Sequence, residues 1–134
     1  MDLSETGHFH AAALADWFGD GALDRVYVSP MKRAAQTADP LLRARGLEGT
    51  VLEGLREVDF GDWTGYRWSD IQDRFGIAAF DWLEVLERGG IANGESANEL
   101  RARVEPCIQS IMDENAHRSV AVVCHGGIVR VMLA

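Results

Sequence analysis

The stretch Ser119-Val-Ala-Val-Val-Cys-His-Gly-Gly-Ile-Val-Arg130 decides the fold class, because it joins an apolar run to a histidine and two glycines. An apolar run of this length is typical of a strand in a buried parallel sheet. The glycines allow a sharp turn and a close approach to a ligand, and a helix is predicted from Ile128 onward. A histidine between a strand and a helix N-terminus is well placed to meet an anion such as phosphate. His125 is therefore the leading candidate for a functional residue.

A second junction of strand and helix is predicted in Asp24–Arg33. A short strand containing Val26 and Val28 leads into Ser29-Pro30, which suits an N-cap and a first helical position. The helix that follows is expected to kink or break just before Pro40.

Two further helices have recognisable starts. Ser4 can cap the first helix, whose predicted apolar face is Phe9, Ala13 and Trp17. Ser96 and Glu99 have the spacing of a capping box at the start of a long helix. The predicted apolar face of that helix is Leu100, Val104, Ile108, Ile111 and Met112.

The order of these elements is an α/β pattern, for which a mostly parallel sheet with helices on both faces is the expected architecture. The length of 134 residues fits one domain, residues 1–134. In such sheets ligands bind at the carboxyl ends of the strands. Ser29–Arg33 and His125–Gly127 both lie at such ends.

The composition restricts the class of partner. The net charge of -8, from 13 basic and 21 acidic side chains, argues against a nucleic-acid binder. It permits a phosphorylated small molecule, because a basic pocket can form within an acidic protein. Cys107 and Cys124 form neither a disulfide framework nor a metal motif. No segment predicts a membrane span or a signal peptide, so a cytoplasmic location is the default expectation.

Each candidate residue has a structural alternative. His125 can donate to a phosphoryl oxygen or be a capping or core histidine. Arg33 can bind phosphate with two parallel hydrogen bonds or be a solvated helix residue. Glu57, beside aromatic residues, can act as a general acid or be a solvated loop carboxylate, and Asp59 and Asp62 compete with it.

Taken in order, the segments resemble the histidine phosphatase superfamily, in the branch that includes cofactor-dependent phosphoglycerate mutase. The segments that carry this resemblance are Leu3–Gly7, Tyr27–Ala38, Leu55–Gly65, Gly94–Ser96 and Val123–Gly127. No single motif decides the matter, but five in the right order are specific to the family.

The resemblance implies a role for each matching residue. Glu57 would donate a proton to the leaving alcohol, and His125 would hold the phosphoryl group through transfer. The implied phosphate-binding residues are Arg33, His125 and Gly126. The implied residues at the pocket rim are Ser29, Glu95 and Ser96. The family uses no metal and works through a phosphohistidine, and no cofactor is expected for this chain.

The family carries its nucleophile in an Arg-His-Gly motif at the end of a first strand, and this chain has no Arg-His-Gly. The sequence is therefore expected to be a family member incomplete at both ends, inactive or weakly active as written. Without that strand, apolar faces and edge backbone groups would be exposed. Poor stability, or pairing with another chain such as a second copy, is expected.

Three functions remain in competition. The first is hydrolysis or transfer of a phosphoryl group on a small phosphoester, and the segment Asp59–Trp63 favours a phosphatase over a mutase. The second is a degenerate module that binds a phosphorylated ligand or a protein partner without catalysis. The third, a purely structural domain, requires five coincidental matches.

Overall fold

The computed structural model describes residues 1–134, which form three strands and six α-helices. In chain order these are α1 (Glu5–Phe18), β1 (Arg25–Val28), α2 (Lys32–Arg45), β2 (Gly49–Val51), α3 (Trp68–Phe75), α4 (Trp82–Arg88), α5 (Ala97–Glu114), β3 (Val120–Val123) and α6 (Gly126–Met132). Single-turn 3-10 helices at Glu53–Leu55 and Gly61–Trp63 lie between β2 and α3.

The chain forms two compact units. The first comprises Met1–Glu57 and Val104–Ala134, and the second comprises Val58–Arg103. All three strands belong to the first unit, while the second contains only helices and loops. The single domain over residues 1–134 stays a prediction. None of the helices combines the length and the apolar character needed to cross a membrane.

The sheet is parallel throughout, with the strand order β2-β1-β3. Val26 lies opposite Gly49 on one side and Ala121 on the other. The predicted α/β class with a parallel sheet is therefore confirmed. The expectation that this strand lies in a buried sheet is met only in part, since all four residues of β3 are half-buried. β3 has a neighbour on one side alone, and an edge strand keeps part of its surface open to solvent.

Helices cover both faces of the central strand, as the sequence predicts. Val26 and Val28 point to one face, where they pack with the buried residues Ala34, Ala38 and Leu41 of α2. Tyr27 points to the opposite face. There its hydroxyl accepts a hydrogen bond from Asn115 Nδ2 at 2.7 Å, just beyond the end of α5. The first unit therefore contains helix, sheet and helix layers.

The first helix begins where the sequence predicts, but it buries a different face. Ser4 Oγ accepts a hydrogen bond from the Gly7 N–H at 3.1 Å, which confirms the predicted cap. Phe9 and Trp17 are 72% and 78% exposed, so the predicted apolar face is wrong. The buried residue is Ala11, because its small side chain lets α1 lie close to α2.

The second helix continues through Pro40, so the predicted break does not occur, while a kink there stays a prediction. Proline removes one helical hydrogen bond and crowds the preceding turn. Here the buried residues Ala38 and Leu41 anchor the helix on either side of it. The helix ends at Gly46, which adopts a left-handed conformation with φ of 62°.

The long helix α5 begins with the predicted capping box. Ser96 Oγ accepts from the Glu99 N–H at 3.1 Å, and Glu99 Oε2 accepts from the Ser96 N–H at 3.3 Å. The predicted apolar face is confirmed at its buried members Leu100, Val104 and Ile111. Met112 is 66% exposed, because it lies about 100° around the helix from Ile111.

The second unit is built around aromatic side chains. The ring of Phe60 is nearly perpendicular to those of Trp68 and Trp82, with centroid separations of 5.5 and 5.4 Å. Trp63 meets Trp68 in the same orientation at 6.4 Å. Such pairs add specific geometry to apolar burial. The aromatic residues of Asp59–Trp63 thus contribute to the core of this unit.

Candidate active site

Ser29 and His125 meet at the carboxyl end of the sheet. Ser29 follows β1 and His125 lies two residues after β3, the strand next to it. The Ser29 N–H donates to the Val123 carbonyl at 2.9 Å, which extends the pairing of the strands by one residue. Both residues therefore have well-fixed backbones at the edge where parallel sheets bind ligands.

The side chains of these two residues are in direct contact. Ser29 Oγ lies 2.7 Å from His125 Nε2, and the residues are 1% and 7% exposed. The Met31 N–H also donates to Ser29 Oγ at 3.3 Å. The N-cap of α2 is Met31, so the predicted cap at Ser29-Pro30 is wrong. Ser29 is buried against the imidazole, and its place near a pocket rim stays a prediction.

His125 is the N-cap of α6, and its carbonyl accepts from the Val129 N–H at 2.9 Å. The helix begins at Gly126, two residues earlier than the predicted start at Ile128. Apart from its chain neighbours and the backbone of its own helix, no heavy atom lies within 4 Å of the position that a Cβ on Gly126 would take. The space beside this predicted phosphate-binding residue is therefore open.

Arg33 lies in the first turn of α2, four residues after Ser29. Its side chain is half-buried and forms no ion pair, whereas the neighbouring Lys32 pairs with Asp2 at 2.6 Å. The N–H donors of a guanidinium without a carboxylate partner can bind an anion with two parallel hydrogen bonds.

Glu57 lies near the segment that carries His125. Burial is the main reason that the pKa of the Cys124 thiol is raised, and the negative charge of Glu57 raises it further. A hydrogen bond with the backbone of His125 acts in the opposite direction and lowers this pKa. A carboxylate that influences the residue before His125 can also act on a ligand bound beside the imidazole.

Two other predicted residues, Glu95 and Ser96, have structural contacts in the second unit. The Glu95 carboxylate forms two hydrogen bonds with Arg103, at 2.5 and 2.9 Å, and accepts a third from the Asp59 N–H at 3.3 Å. Ser96 is engaged in the capping box. These contacts account for both residues without a ligand, and a role at a pocket rim stays a prediction.

The carboxylates that compete with Glu57 also bond within the second unit. Asp59 Oδ1 accepts from the Gly61 N–H at 2.9 Å, and Asp62 Oδ1 accepts from Asn93 Nδ2 at 2.9 Å. Each therefore stabilises a loop. No group of three or more His, Cys, Asp or Glu side chains is placed to hold a metal ion.

Sequence reasoning missed the contact between Ser29 and His125, although a signal for it was present. Both residues follow predicted strands, and neighbouring parallel strands bring their carboxyl ends together. The sequence does not give the order of the strands, and this order determines which residues are in contact. The sequence carries no comparable signal for the ion pair of Glu95 with Arg103. Oppositely charged side chains eight residues apart are found in many solvated helices.

Comparison with known proteins agrees with this geometry. The sequence model of the histidine phosphatase superfamily (branch 1) matches residues 1–134. Phosphoserine phosphatase 1 of Hydrogenobacter thermophilus is 29% identical over 131 residues, which are 98% of this chain and 62% of that protein. Adenosylcobalamin/alpha-ribazole phosphatase of Salmonella typhimurium is 26% identical over 132 residues, which are 98% of this chain and 65% of that protein.

Solved structures show the same relationship. Mycobacterial glucosyl-3-phosphoglycerate phosphatase in complex with VO3 superimposes with a TM-score of 0.85 at 30% identity, over 100% of this chain and 68% of that one. Alpha-ribazole phosphatase from Shigella flexneri gives a TM-score of 0.78 at 26% identity, over 98% of this chain and 65% of that one. The chain spans less than two thirds of the length of the two curated relatives named above.

Proposed function

Because the chain belongs to the histidine phosphatase superfamily (branch 1), we propose that its first unit binds the phosphoryl group of a small phosphoester and that the protein is a phosphatase. The observation that carries this proposal is the buried contact of Ser29 with His125 at the carboxyl end of the sheet, four residues before Arg33. The relatives support it, since their names describe phosphatases of phosphoserine, alpha-ribazole and glucosyl-3-phosphoglycerate.

The proposed roles follow from the chemistry of each side chain. Arg33 binds two phosphoryl oxygens with parallel N–H donors, and His125 donates to a third. Glu57 gives a proton to the alcohol oxygen as the ester P–O bond breaks, so that the leaving group departs as a neutral alcohol. In the family's reaction a histidine nitrogen bonds to phosphorus, and water then cleaves that bond to release phosphate.

The histidine nucleophile has no counterpart among the matching positions, since Arg-His-Gly does not occur in the sequence. We therefore expect these 134 residues alone to hydrolyse phosphoesters weakly or not at all, because binding cannot replace a missing nucleophile. Binding of the phosphoryl group does not depend on that residue. The pocket and the reaction can thus be tested separately.

A phosphatase is preferred to a mutase. The loop Asp59-Phe-Gly-Asp-Trp63 resembles that of broad phosphatases and alpha-ribazole phosphatase. A mutase returns the phosphoryl group to an organic hydroxyl, whereas a phosphatase passes it to water. Release of inorganic phosphate from an alkyl phosphate, without formation of an isomeric phosphoester, is the result that distinguishes the two.

Binding is tested by following the melting temperature in inorganic phosphate and in orthovanadate. A ligand that binds only the folded state raises this temperature. We expect the rise in the wild-type chain, a smaller one in Arg33→Ala, and an unchanged one in Arg43→Ala. Arg43 is the matched control, because it is an exposed arginine of the same helix paired with Asp39 at 3.0 Å. No rise in the wild type would contradict the phosphate pocket.

Hydrolysis is tested with a generic aryl phosphate, with His125→Ala as the control. Activity that disappears in His125→Ala would show that the pocket works with some nucleophile of this chain. The absence of activity, combined with phosphate binding, would agree with the expectation stated above. An in-frame Arg-His-Gly upstream of Met1 in the DNA would then identify the missing group.

A non-catalytic module is the second candidate, and the missing Arg-His-Gly motif favours it. Such a module would bind a phosphorylated ligand or a protein partner through the same Arg33 and His125. It predicts phosphate binding with no hydrolysis and no Arg-His-Gly codons upstream. Retention of Glu57 argues against it, because a module that only binds needs no proton donor.

A further inference from the structure

Asn93 lies in a tight turn of the second unit. The Gly94 N–H donates to the Ile91 carbonyl at 2.9 Å, and Asn93, the third residue of this turn, has a φ of 60°. Asparagine is, with glycine, the residue favoured at such a position, because it tolerates the left-handed region. The turn therefore accounts for an asparagine at position 93, directly before a glycine.

The side chain of Asn93 is held by a neighbouring loop. Its Nδ2 donates to Asp62 Oδ1 at 2.9 Å, and the Asp62 N–H donates to the Ala92 carbonyl at 2.9 Å. A Cβ on Gly61 would lie 2.6 Å from the carbonyl carbon of Asn93, so the two loops are in close contact. Asn93 itself is exposed. Its amide is therefore accessible to water, while its orientation is fixed by the Asp62 carboxylate.

An asparagine that precedes a glycine can react with its own backbone. The backbone nitrogen of the glycine attacks Cγ of the asparagine, and the new N–Cγ bond closes a cyclic imide. The Cγ–Nδ2 bond breaks, and the nitrogen leaves as ammonia with the proton that the backbone amide loses. Water then opens the imide at either carbonyl and gives aspartate or isoaspartate. Glycine permits the attack because it has no Cβ that would hinder the approach.

We propose that Asn93 is a site of spontaneous deamidation and that its contact with Asp62 sets the rate. This inference is independent of the proposed phosphatase reaction. While the contact persists, Nδ2 is bound to Asp62 and the Gly94 nitrogen is bound to the Ile91 carbonyl, so the attack requires both hydrogen bonds to break. Local opening of the two loops breaks them, and exposed loops open at a low cost in free energy.

The product of this reaction does not restore the contact between the loops. Both aspartate and isoaspartate replace the Nδ2 donor by a carboxylate oxygen beside Asp62 Oδ1. Two carboxylates in contact repel each other, and isoaspartate also lengthens the turn by one main-chain atom. The modification therefore separates the two loops and lowers the stability of the second unit.

The reaction is followed by mass spectrometry of the peptide that contains residue 93, in the folded chain and in the chain unfolded by urea, both in mildly alkaline buffer. We expect the folded chain to react at least about tenfold more slowly, equivalent to about 1.4 kcal/mol of protection. Asn98 and Asn115 are internal references, because the side chains of Glu99 and Ala116 after them hinder the attack. No reaction at Asn93 in urea, or equal rates in the two states, would overturn the proposal.

The role of the contact is tested with two variants of one residue. Asp62→Ala removes the acceptor of Nδ2 and should accelerate the reaction of the folded chain several-fold, whereas Asp62→Asn keeps an oxygen acceptor and should keep the reaction slow. Asp81→Ala is the matched control, since Asp81 is an exposed aspartate of the same unit whose side chain makes no capping hydrogen bond. Equal rates in Asp62→Ala and Asp81→Ala would contradict the role of the contact.

The effect of the product is tested with Asn93→Asp, which introduces the carboxylate directly. We expect a lower melting temperature than in the wild type, and most of this loss should disappear when Asp62→Asn removes the second charge. The same comparison decides the role of the contact if Asp62→Ala does not fold. An unchanged melting temperature in Asn93→Asp, or a loss that persists undiminished in the double variant, would overturn the proposal.

Discussion

Glu95 and Arg103 form a bidentate ion pair in the second unit, with Nε–Oε1 and Nη2–Oε2 distances of 2.5 and 2.9 Å. Their side chains are 26% exposed for Arg103 and 11% exposed for Glu95, so the pair is mostly buried, unlike the exposed pair of Arg88 with Glu84. Asp59 closes the arrangement, because its carbonyl accepts from the Glu95 N–H at 2.9 Å. The pair therefore joins the loop before α3 to the start of α5.

Removal of Arg103 should destabilise the protein markedly. Arg103→Ala leaves a mostly buried carboxylate without its cation, and we expect a loss of about 2–4 kcal/mol in the free energy of unfolding. Arg88→Ala is the control, because Arg88 pairs with Glu84 on an exposed surface and should cost under about 0.5 kcal/mol. Urea denaturation of both variants checks the difference, and equal losses would contradict it.

Gly61 should not tolerate a side chain. It has a φ of 53°, and a Cβ there would lie 2.3 Å from the Ala92 carbonyl oxygen and from the Gly94 nitrogen. Gly61→Ala should therefore cost more than the roughly 1–2 kcal/mol of the left-handed conformation alone. Gly65→Ala isolates that smaller cost, since Gly65 has a φ of 89° and open space around it. Similar melting temperatures for the two variants would show that the loops can separate without loss.

The thiol of Cys124 should react slowly with iodoacetamide at about pH 8, because its raised pKa keeps it protonated. Burial is the larger cause, and the charge of Glu57 adds to it. Glu57→Gln removes that charge, so the pKa should fall, the thiolate fraction should rise and alkylation should become faster. Glu53→Gln, on an exposed side chain, should leave the rate unchanged.

The alkylation rates are measured in a Cys107→Ser background, so that the thiol of Cys124 alone contributes to the measured rate. An unchanged rate in Glu57→Gln would mean that the carboxylate does not act on the segment carrying His125. That result would weaken the assignment of Glu57 as the proton donor.

The outer edge of β3 should promote pairing with another chain. The Ser119 and Val123 carbonyls both accept hydrogen bonds from the β1 side. Because backbone groups alternate along a strand, those of Val120 and Val122 face the unpaired edge. We expect the molar mass from light scattering to rise with concentration, or low stability of the monomer. A stable monomer at high concentration would contradict this expectation.

The sequence by itself determined the class of fold and the candidate ligand-binding edge. The apolar run before His125 and the junction at Ser29 could be recognised locally, because strand pattern and turn residues depend on short-range geometry. The caps at Ser4 and Ser96 could be read for the same reason. The family could be recognised from the order of five short motifs, because this recognition requires no knowledge of which residues are in contact.

Tertiary structure decided which of the possible faces and contacts are used. The face of α1 that contains Ala11 is buried because close approach to α2 favours a small residue, and periodicity alone could not distinguish it from the face of Phe9 and Trp17. The helix continues through Pro40 because packing on both sides compensates for a lost hydrogen bond. The pairing of Ser29 with His125 depends on strand order, a property of contacts between residues distant in sequence.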